Sequence, residues 1–521
     1  MNGAGGNSTR LMFDDDDDYN NSTPLSTTMY ALLTLFILLT LFKIVYERWM
    51  TPLANIPGHP LHSITSIPMR YHMLRGQLPS HLLGLHQKYG SIVRISPQRI
   101  SVADPEMIKH VLGSHVFGKT PSYDMPQVLE PNCFSTRVPE LSVERRRQVG
   151  PGFSHGHLAK MESKIVECGV LNVRRKLDAL MSVKDNTVVQ YNVWFSLIAL
   201  DTIGELGFGK KLGALLADGH ELVAILIRIR IFNYITMALP WFKQLPRVLG
   251  KRLRTLTTLM DFASEAINVR RKEEQGGEPR QGGLDLLQIM LDVGRAEGDK
   301  RAIISDGQMV SETILHLIAG VDTTSAGLTW TLALLLHNPV VMEKLITDIR
   351  RNFALGSVVS YEECRLKVPY LSAVISESLR VMSPAPGILP RLAPPGGVRL
   401  DGYVVPKGTW ICCSVGSLHM NPLVFPEPDA FKPERFLAGG GGQGNMLAFS
   451  TGVRACLGRN LALVEMHVVL ANLLKDYNLA LPHGVQPLGG IPDIPRKTLM
   501  TMNPVNPEKD CLVVISRRKL E

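Results

Sequence analysis

The residues around Cys456 constrain this chain more than any other part of it. They read Phe-Ser-Thr-Gly-Val-Arg-Ala-Cys-Leu-Gly over 449–458, and a helical pattern follows directly over 457–475. A cysteine at the start of a helix faces unpaired backbone N–H groups and the positive end of the helix dipole, which favour its thiolate. A lone cysteine is nevertheless more often a small core residue than a ligand. The interpretation of Cys456 therefore depends on the residues around it.

The composition is that of an ordinary globular protein with a modest positive charge. Of the 521 residues, 45% are hydrophobic and 20% are charged, and the formal net charge is +9. The sequence has no basic stripe interleaved with aromatic residues and no zinc-finger spacing, so nucleic acid is not an expected partner. The seven cysteines are scattered and include no Cys-x-x-Cys pair. This pattern predicts reduced thiols instead of a disulfide framework.

An apolar run near the N-terminus predicts one transmembrane helix over residues 24–47. The run has roughly the 20 apolar residues that are needed to cross a bilayer. Aspartates 14–18 precede it and Arg48, Arg70 and Arg75 follow it. The positive-inside rule then places residues 1–23 in a lumen and the body of the chain in the cytosol. A cleaved signal peptide and a buried core helix are the alternatives.

Three sequons lie in this predicted lumenal tail. Asn7, Asn20 and Asn21 each begin an Asn-x-Ser/Thr triplet. Such triplets are acceptors of N-linked glycans when they face a lumen, although they also arise by chance. The three asparagines are therefore candidate glycosylation sites.

The rest of the chain is predicted to be mainly α-helical with small β-sheets. Residues 48–70 form a proline-rich connector, and we expect Pro52–Pro60 within it to be stiff and extended. Residues 71–521 form one domain, with a hairpin over 91–96 and 99–102, short strands over 397–405 and a solvated loop over 271–283. Apolar periodicity predicts the helices 139–149, 191–208, 251–271, 284–293, 305–336, 340–350 and 369–381.

Two further patterns lie inside predicted helices. Glu377 and Arg380 are three residues apart, which by itself indicates a weak surface ion pair. The stretch from Ala319 to Thr324 reads Ala-Gly-Val-Asp-Thr-Thr and places a glycine and two hydroxyls in the middle of a helix. Such residues lower helix stability, because glycine is entropically poor there and threonine competes for backbone carbonyls. A helix that keeps such residues generally has a use for them.

Together these motifs resemble those of the cytochrome P450 family. Residues 449–458 match the family's Phe-x-x-Gly-x-Arg-x-Cys-x-Gly at every fixed position, 377–380 fit its Glu-x-x-Arg, and 319–324 fit its oxygen-activating motif. The resemblance implies the cytochrome P450 fold, which is mainly α with small β-sheets. It also implies haem b, iron protoporphyrin IX, with the Cys456 thiolate as the axial ligand of the iron.

The same resemblance implies roles around the cysteine. Phe449 packs beside the sulfur, Arg454 pairs with a haem propionate, and Gly458, with Gly452, lets the backbone approach the macrocycle. Arg435, in Pro-Glu-Arg-Phe over 433–436, completes a buried structural triad with Glu377 and Arg380.

The resemblance also implies roles for residues on the opposite face of the haem and at its propionates. Thr323 hydrogen-bonds dioxygen at the haem, and Asp322 relays protons from solvent. Arg146 and Arg391 stand at positions that bind propionates. Ser142 departs from the family, which has Trp or His there, so the propionate contact of that residue is in question. The flanking arginines, Arg145 and Arg147, are expected to be solvated.

By positional analogy the substrate lies against five stretches. They are mostly apolar, which implies a lipophilic molecule that is held mainly by shape. The stretches are residues 117–134, 228–242, 315–319, 384–389 and 498–502.

The implied activity is that of a haem-thiolate monooxygenase, which inserts one atom of dioxygen into its substrate. The sequence has no NADPH or flavin motif, so a separate NADPH-dependent cytochrome reductase in the endoplasmic reticulum membrane supplies the electrons. The chain resembles fungal microsomal members that act in terpenoid, polyketide or alkaloid specialised-metabolite biosynthesis. An aromatic acid such as benzoate is an alternative substrate. A reductase-independent haem isomerase or dehydratase, or a haem ligand-binding protein, is the alternative of another class, and the presence of Asp322 and Thr323 argues against it.

Overall fold

A computed structural model describes residues 24–124, 128–182, 184–276, 285–296 and 304–519. The sequon residues Asn7, Asn20 and Asn21 lie outside these ranges, as does most of the predicted loop 271–283.

The described residues are largely helical. The α-helices are α1 (Pro24–Val45), α2 (Pro60–Ile64), α3 (Ile67–Leu74), α4 (Leu78–Tyr89), α5 (Pro105–Gly113), α6 (Pro139–Val149), α7 (His155–Val166), α8 (Asn172–Met181), α9 (Tyr191–Phe208), α10 (Glu221–Ala238), α11 (Pro246–Gly276), α12 (Leu286–Ala296), α13 (Asp306–His337), α14 (Pro339–Asn352), α15 (Tyr361–Lys367), α16 (Pro369–Val381), α17 (Val415–His419), α18 (Arg459–Asp476) and α19 (Pro507–Asp510).

The strands form small sheets. They are β1 (Ile92–Ser96), β2 (Arg99–Val102), β3 (Gly118–Lys119), β4 (Asn186–Gln190), β5 (Ile388–Leu392), β6 (Val398–Leu400), β7 (Tyr403–Val405), β8 (Trp410–Ser414), β9 (Tyr477–Ala480), β10 (Arg496–Leu499), β11 (Thr501–Pro504) and β12 (Leu512–Arg517). A five-stranded sheet has the order β1-β2-β8-β5-β3, a three-stranded sheet has the order β4-β12-β9, and β6-β7 and β10-β11 are antiparallel pairs.

The helix α13 runs through the largest hydrophobic core and organises it. A capping box begins the helix, because Ser305 Oγ accepts from the Gln308 N–H and Gln308 Oε1 accepts from the Ser305 N–H, both at 3.1 Å. Gly320 allows close contact with α9, since a Cβ there would lie 3.2 Å from the Ile203 side chain. The α13 backbone is therefore packed tightly against its neighbours over most of its length.

The predicted N-terminal helix is confirmed as a helix. The stretch Thr27–Met50 is long and apolar enough to cross a membrane, and none of its most apolar window is buried inside the protein. At its end, Arg94 of β1 donates to the Glu47 carboxylate at 3.0 Å and to the Glu47 carbonyl at 2.7 Å. This buried arginine links the base of the apolar helix to the five-stranded sheet.

The prediction that Pro52–Pro60 of the connector 48–70 is extended is wrong for Pro52–Asn55, which form a 3-10 turn. The segment forms a π-helical turn (Tyr46–Met50), a 3-10 turn (Pro52–Asn55), α2 and the start of α3. Each of the last three has its proline in the first turn. Proline is compatible with that position because the N–H it lacks would have no helical partner there.

Most predicted elements of the body are confirmed. The hairpin is β1-β2, the strands over 397–405 are β6 and β7, and the helices 139–149, 191–208 and 369–381 have the predicted bounds. The predicted loop over 271–283 is wrong for 271–276, which belong to α11. Two ion pairs hold the end of that helix, Arg270 with Asp285 and Arg271 with Asp306.

Candidate active site around Cys456

A tight loop positions Cys456 at the start of α18. The Cys456 N–H donates to the Phe449 carbonyl at 2.9 Å and closes the loop, while a 3-10 turn spans Gly452–Arg454 inside it. Gly458 is the N-cap residue of α18. The sulfur is thus placed at a helix N-terminus, as the sequence predicts.

Cys456 is exposed, in contrast to the buried cysteines Cys168, Cys364 and Cys511. Surrounding protein still raises the pKa of Cys456 by desolvation. The backbone N–H groups of Gly458 and Arg459 and the charge of Arg146 oppose this rise. The helix N-terminus alone therefore does not ionise the thiol, and a bound metal ion would supply the remaining driving force.

The two glycines of the loop have different surroundings. A Cβ on Gly458 would meet no atom within 4 Å, so this backbone is open on the side that Cβ would occupy. Gly452 has a φ of +71°, and a Cβ on it would lie 2.5 Å from the Gly113 Cα of α5. The close approach at Gly452 is thus to α5, whereas the sequence reasoning assigned it to the macrocycle.

Four cationic side chains converge beside this loop. Lys119, in β3, is buried, and burial together with the charges of Arg454, Arg391 and Arg146 lowers its pKa to about 7. Arg454 donates to the Phe117 carbonyl at 3.4 Å, but its buried Nε and Nη2 atoms have no hydrogen-bond partner in the described part of the chain. Such a group of cations suits a ligand with anionic oxygens.

The triad residues lie together in the interior. Glu377 and Arg380 are fully buried, with Arg380 Nε 2.7 Å from Glu377 Oε2 and Nη2 2.8 Å from Oε1. Arg435 Nε lies 3.2 Å from Glu377 Oε1. Arg380 also donates to the carbonyl of His419 at 2.8 Å. An ion pair of this kind would be weak on a surface. Here it is desolvated, and both of its residues make further contacts, with Arg435 and with the carbonyl of His419.

The motif Ala319–Thr324 lies in an unbroken part of α13. Thr323 Oγ1 donates to the Ala319 carbonyl at 2.7 Å. Asp322 forms an ion pair with Arg230 of α10, with Oδ1 3.2 Å from Nη1. Burial raises the pKa of Asp322, while Arg230 opposes the rise. The helix α13 continues without a break through this described stretch.

The sequence profile of the family named cytochrome P450 matches residues 57–508 of this chain. The chain belongs to the cytochrome P450 family. Its fungal relatives include the cytochrome P450 monooxygenase helB1 of Aspergillus fumigatus, 30% identical over 94% of this chain and 86% of that protein. The cytochrome P450 monooxygenase aneF of Aspergillus aculeatus is also 30% identical, over 87% of this chain and 93% of its own length. The cytochrome P450 monooxygenase traB of Penicillium crustosum is 30% identical over 87% and 91%.

This P450 is a monooxygenase that uses haem with a cysteine thiolate ligand, dioxygen, a substrate and a redox partner, as the family does. The residues present fit that cofactor. An accessible thiol lies at a helix N-terminus, and unpartnered guanidinium nitrogens of Arg454 lie in a cationic group that matches two propionates. Cys456 would hold the iron, and Arg454, Arg146 and Lys119 would hold the carboxylates.

Sequence reasoning included three residues of the site only as members of the substrate stretches 117–134 and 228–242, and it missed their roles. Lys119 joins the cationic group, and the Tyr123 hydroxyl accepts from Arg391 Nη1 at 2.6 Å. Arg230 holds Asp322. None of the three belongs to a motif that can be recognised in the sequence, because folding alone brings them next to their partners.

One expectation about α6 is wrong. Arg145 was expected to be solvated, but it is buried and donates to Gln148 Oε1 at 2.8 Å. Arg147 is exposed, as expected. Ser142 is fully buried, and its Oγ has no hydrogen-bond partner among the described residues. The residue that departs from the family motif thus faces the interior of the protein.

Proposed function

We propose that this P450 oxidises a lipophilic small molecule of a specialised-metabolite pathway, at a haem held by Cys456 between α18 and α13. The observation that carries the proposal is an accessible stripe on the otherwise largely buried helix α13. Leu315, Ala319 and Thr323 follow each other at a spacing of four residues and are all partly or fully accessible. Residues at this spacing share one face of a helix. That face therefore borders an internal space.

Apolar segments from other parts of the chain support a lipophilic substrate. Tyr234 and Ala238 of α10 pack in one cluster with Ile388 and Leu499. The Met502 N–H donates to the Pro384 carbonyl at 2.8 Å and joins two of the predicted substrate stretches. The side chains of this cluster are mainly apolar or aromatic, so we propose that shape and apolar contact select the substrate.

We propose distinct roles for Asp322 and Thr323. The haem, when bound, supplies the activation of dioxygen for insertion of one oxygen atom into a C–H bond. Thr323 offers its hydroxyl on the accessible face of α13 and can hold a proton there. Asp322, kept near by Arg230, exchanges protons with solvent and passes them to Thr323. When proton delivery is controlled, the electrons taken from NADPH are used to form product.

We propose that the protein works as a single-pass protein of the endoplasmic reticulum membrane. Residues 24–47 would cross the bilayer, residues 1–23 would be lumenal, residues 48–70 would connect, and residues 71–521 would form the cytosolic catalytic domain. A membrane-bound NADPH-dependent cytochrome reductase would supply electrons. Arg459, exposed at the start of α18 beside Cys456, offers positive charge to an acidic partner on that side.

A matched pair of threonines tests the role of the accessible stripe. Thr323 and Thr331 lie on α13, and each donates its hydroxyl to the carbonyl four residues earlier at 2.7 Å, but Thr331 is fully buried. We expect Thr323→Ala to lower product formed per NADPH by about 100-fold, because a group that delivers protons is lost. Thr331→Ala loses the same local bond and should keep the coupling. Equal effects of both substitutions would contradict the proposal.

The substrate class and the reductase are tested with the full chain in reductase-containing microsomes. Lipophilic metabolites are screened for a shift of the Soret band, and hits are incubated with labelled dioxygen and NADPH. We expect one labelled oxygen atom per product and no product without reductase. Product formed equally well without reductase, or binding limited to small aromatic acids, would contradict the proposal. Glycan analysis at Asn7, Asn20 and Asn21 with protease protection tests the orientation.

A further inference from the structure

Three side chains with metal-binding atoms meet away from the haem ligand. Cys133 lies in the segment before α6, and Glu312 and His316 lie on α13. One ligand atom of each residue lies within 4.8 Å of those of the other two. Glu312 and His316 are four residues apart and therefore share one helix face. The two elements thus bring a sulfur, an oxygen and a nitrogen to one place.

These groups are buried and incompletely partnered. Glu312 is fully buried, and its Oε1 accepts from the Cys133 N–H at 2.7 Å. Glu312 Oε2 and both ring nitrogens of His316 have no hydrogen-bond partner among the described residues. Buried polar atoms normally have hydrogen-bond partners. Three unpartnered atoms beside a thiol therefore indicate a bound cation, which can accept their lone pairs.

We propose that Cys133 Sγ, a Glu312 carboxylate oxygen and a His316 ring nitrogen bind one Zn²⁺ ion, with water as the fourth ligand. Zinc accepts this mixture of sulfur, nitrogen and oxygen in tetrahedral geometry, whereas Ca²⁺ and Mg²⁺ prefer oxygen ligands alone. Binding displaces the proton of the Cys133 thiol, and that of Glu312 where it is protonated, to solvent. Burial lowers the pKa of His316 to about 4, so its ring is neutral and offers a lone pair at pH 7.

The charges around the cluster are compatible with zinc. Burial raises the pKa of Glu312 to about 7, and hydrogen bonds from Cys133 and the charges of Arg145 and Lys119 oppose this rise. A thiolate and a carboxylate together neutralise a divalent cation, so the loaded site has no net charge to repel these two side chains. The nearby cations also favour ionisation of the two ligands that must lose protons.

Zinc at this position would fasten the segment before α6 to α13. Leu129 and Glu130 already approach that helix, since their N–H groups donate to Ser311 Oγ at 3.3 and 3.0 Å. The segment that carries Cys133 connects β3 to α6. Lys119 lies in β3 and Arg146 lies in α6, and both belong to the cationic group beside Cys456. The ion would thus stabilise a structural link beside the cofactor site. The inference concerns this link and does not depend on the function proposed above.

The experiment uses the full-length, haem-loaded chain in detergent, without a histidine tag. It is incubated with equimolar zinc, passed through a chelating resin, and analysed by mass spectrometry for metal content and by zinc K-edge absorption. We expect one zinc per chain, with one sulfur at about 2.3 Å and nitrogen or oxygen ligands at about 2.0–2.2 Å. Less than a tenth of an equivalent of zinc, or a spectrum without sulfur, would overturn the proposal.

Matched variants distinguish this site from incidental binding. Cys133→Ser and His316→Gln should each reduce retained zinc at least tenfold. Cys364→Ser, at another buried cysteine, and His337→Gln, at another buried histidine of α13, should retain it. The spectrum of the reduced protein with carbon monoxide reports on the Cys456 thiolate and confirms that each variant is folded. Retention of zinc by folded Cys133→Ser or His316→Gln would overturn the proposal.

A measurement on the unmodified sequence covers the case in which the variants do not fold. Alkylation of Cys133 by iodoacetamide is followed by peptide mass spectrometry with and without added zinc. We expect zinc to slow the alkylation of Cys133 at least tenfold and to leave the rate at Cys168 unchanged. Equal rates at Cys133 with and without zinc would contradict coordination by its sulfur.

Discussion

Arg230 of α10 and Asp322 of α13 form an ion pair, with Nη1 3.2 Å from Oδ1, that joins the two helices at the motif Ala319–Thr324. Arg230 Nη1 also donates to Thr501 Oγ1 at 3.0 Å and so links both helices to β11. Burial raises the pKa of Asp322, and the guanidinium of Arg230 limits this rise. The protonation of Asp322 therefore depends on an interaction between distant parts of the chain.

We predict that Arg230→Met raises the pKa of Asp322 further, because burial remains and the favourable charge is removed. The carboxylate form, present above the pKa, is then lost at a higher pH than in the native protein. Product formation should decline at a higher pH as the solution is acidified, with more NADPH consumed per product. Activity and NADPH oxidation measured from pH 6 to pH 9 check this. Arg228→Met, at an exposed arginine of the same helix, is the control. An unchanged pH profile in Arg230→Met would contradict the prediction.

We predict that Cys456→Ser abolishes the red-shifted absorption of the reduced protein with carbon monoxide, because that band requires a thiolate ligand. Monooxygenase activity should be lost with it. Cys364→Ser removes another cysteine, buried in α15, and should keep the band. If native protein carries haem but lacks the band, Cys456 is not the ligand.

We predict that Glu377→Gln destabilises the protein by about 3–5 kcal/mol, because it leaves the buried guanidinium of Arg380 without its charge partner. The free energy of unfolding in denaturant and the haem content of the purified protein report the loss. Glu362→Gln is a matched control, since Glu362 pairs with Arg365 at the same three-residue spacing on an exposed helix. It should cost less than about 1 kcal/mol. Similar losses for both substitutions would argue against the importance of burial.

We predict that haem retention depends on Lys119 and on pH. The pKa of Lys119 is about 7 without an anionic partner, and a propionate would raise it. The stabilisation is then fully present below about pH 7 and is lost as pH rises through the higher pKa of the haem-bound form. Haem transfer to an excess acceptor protein should accelerate about fivefold over this range, corresponding to about 1 kcal/mol.

The charge-conserving variant Lys119→Arg gives the sharper comparison. Arginine stays protonated throughout this range, so the pH dependence of haem loss should largely disappear. Lys109→Arg, at a lysine that pairs with Glu106 on the surface, should behave like the native protein. A pH dependence that persists unchanged in Lys119→Arg would exclude Lys119 as the titrating group.

Local patterns were sufficient wherever neighbours in sequence decide the structure. The helices 139–149, 191–208 and 369–381 have the predicted bounds, and the β1-β2 hairpin differs by one residue at its start, since apolar periodicity and breakers lie within each segment. The extended stretch of the connector was predicted wrongly because prolines were taken to exclude helix, although Pro52, Pro60 and Pro68 each lie in a first turn. The end of α11 was mistaken because ion pairs with Asp285 and Asp306 extend it beyond its local signals.

The sequence by itself determined the family, and it predicted Cys456 as the haem ligand and α13 as the helix that faces the haem, because these depend on short motifs whose residues act within one loop or one helix. Only the tertiary structure decided which residues complete the site. Lys119 beside Arg454, Arg230 beside Asp322, and Cys133 beside Glu312 are pairs from distant segments. The energies of these contacts arise from desolvation and from electrostatic interaction at short range. The distances between the partners are set only when the core packs, so the order of residues in the chain does not reveal them.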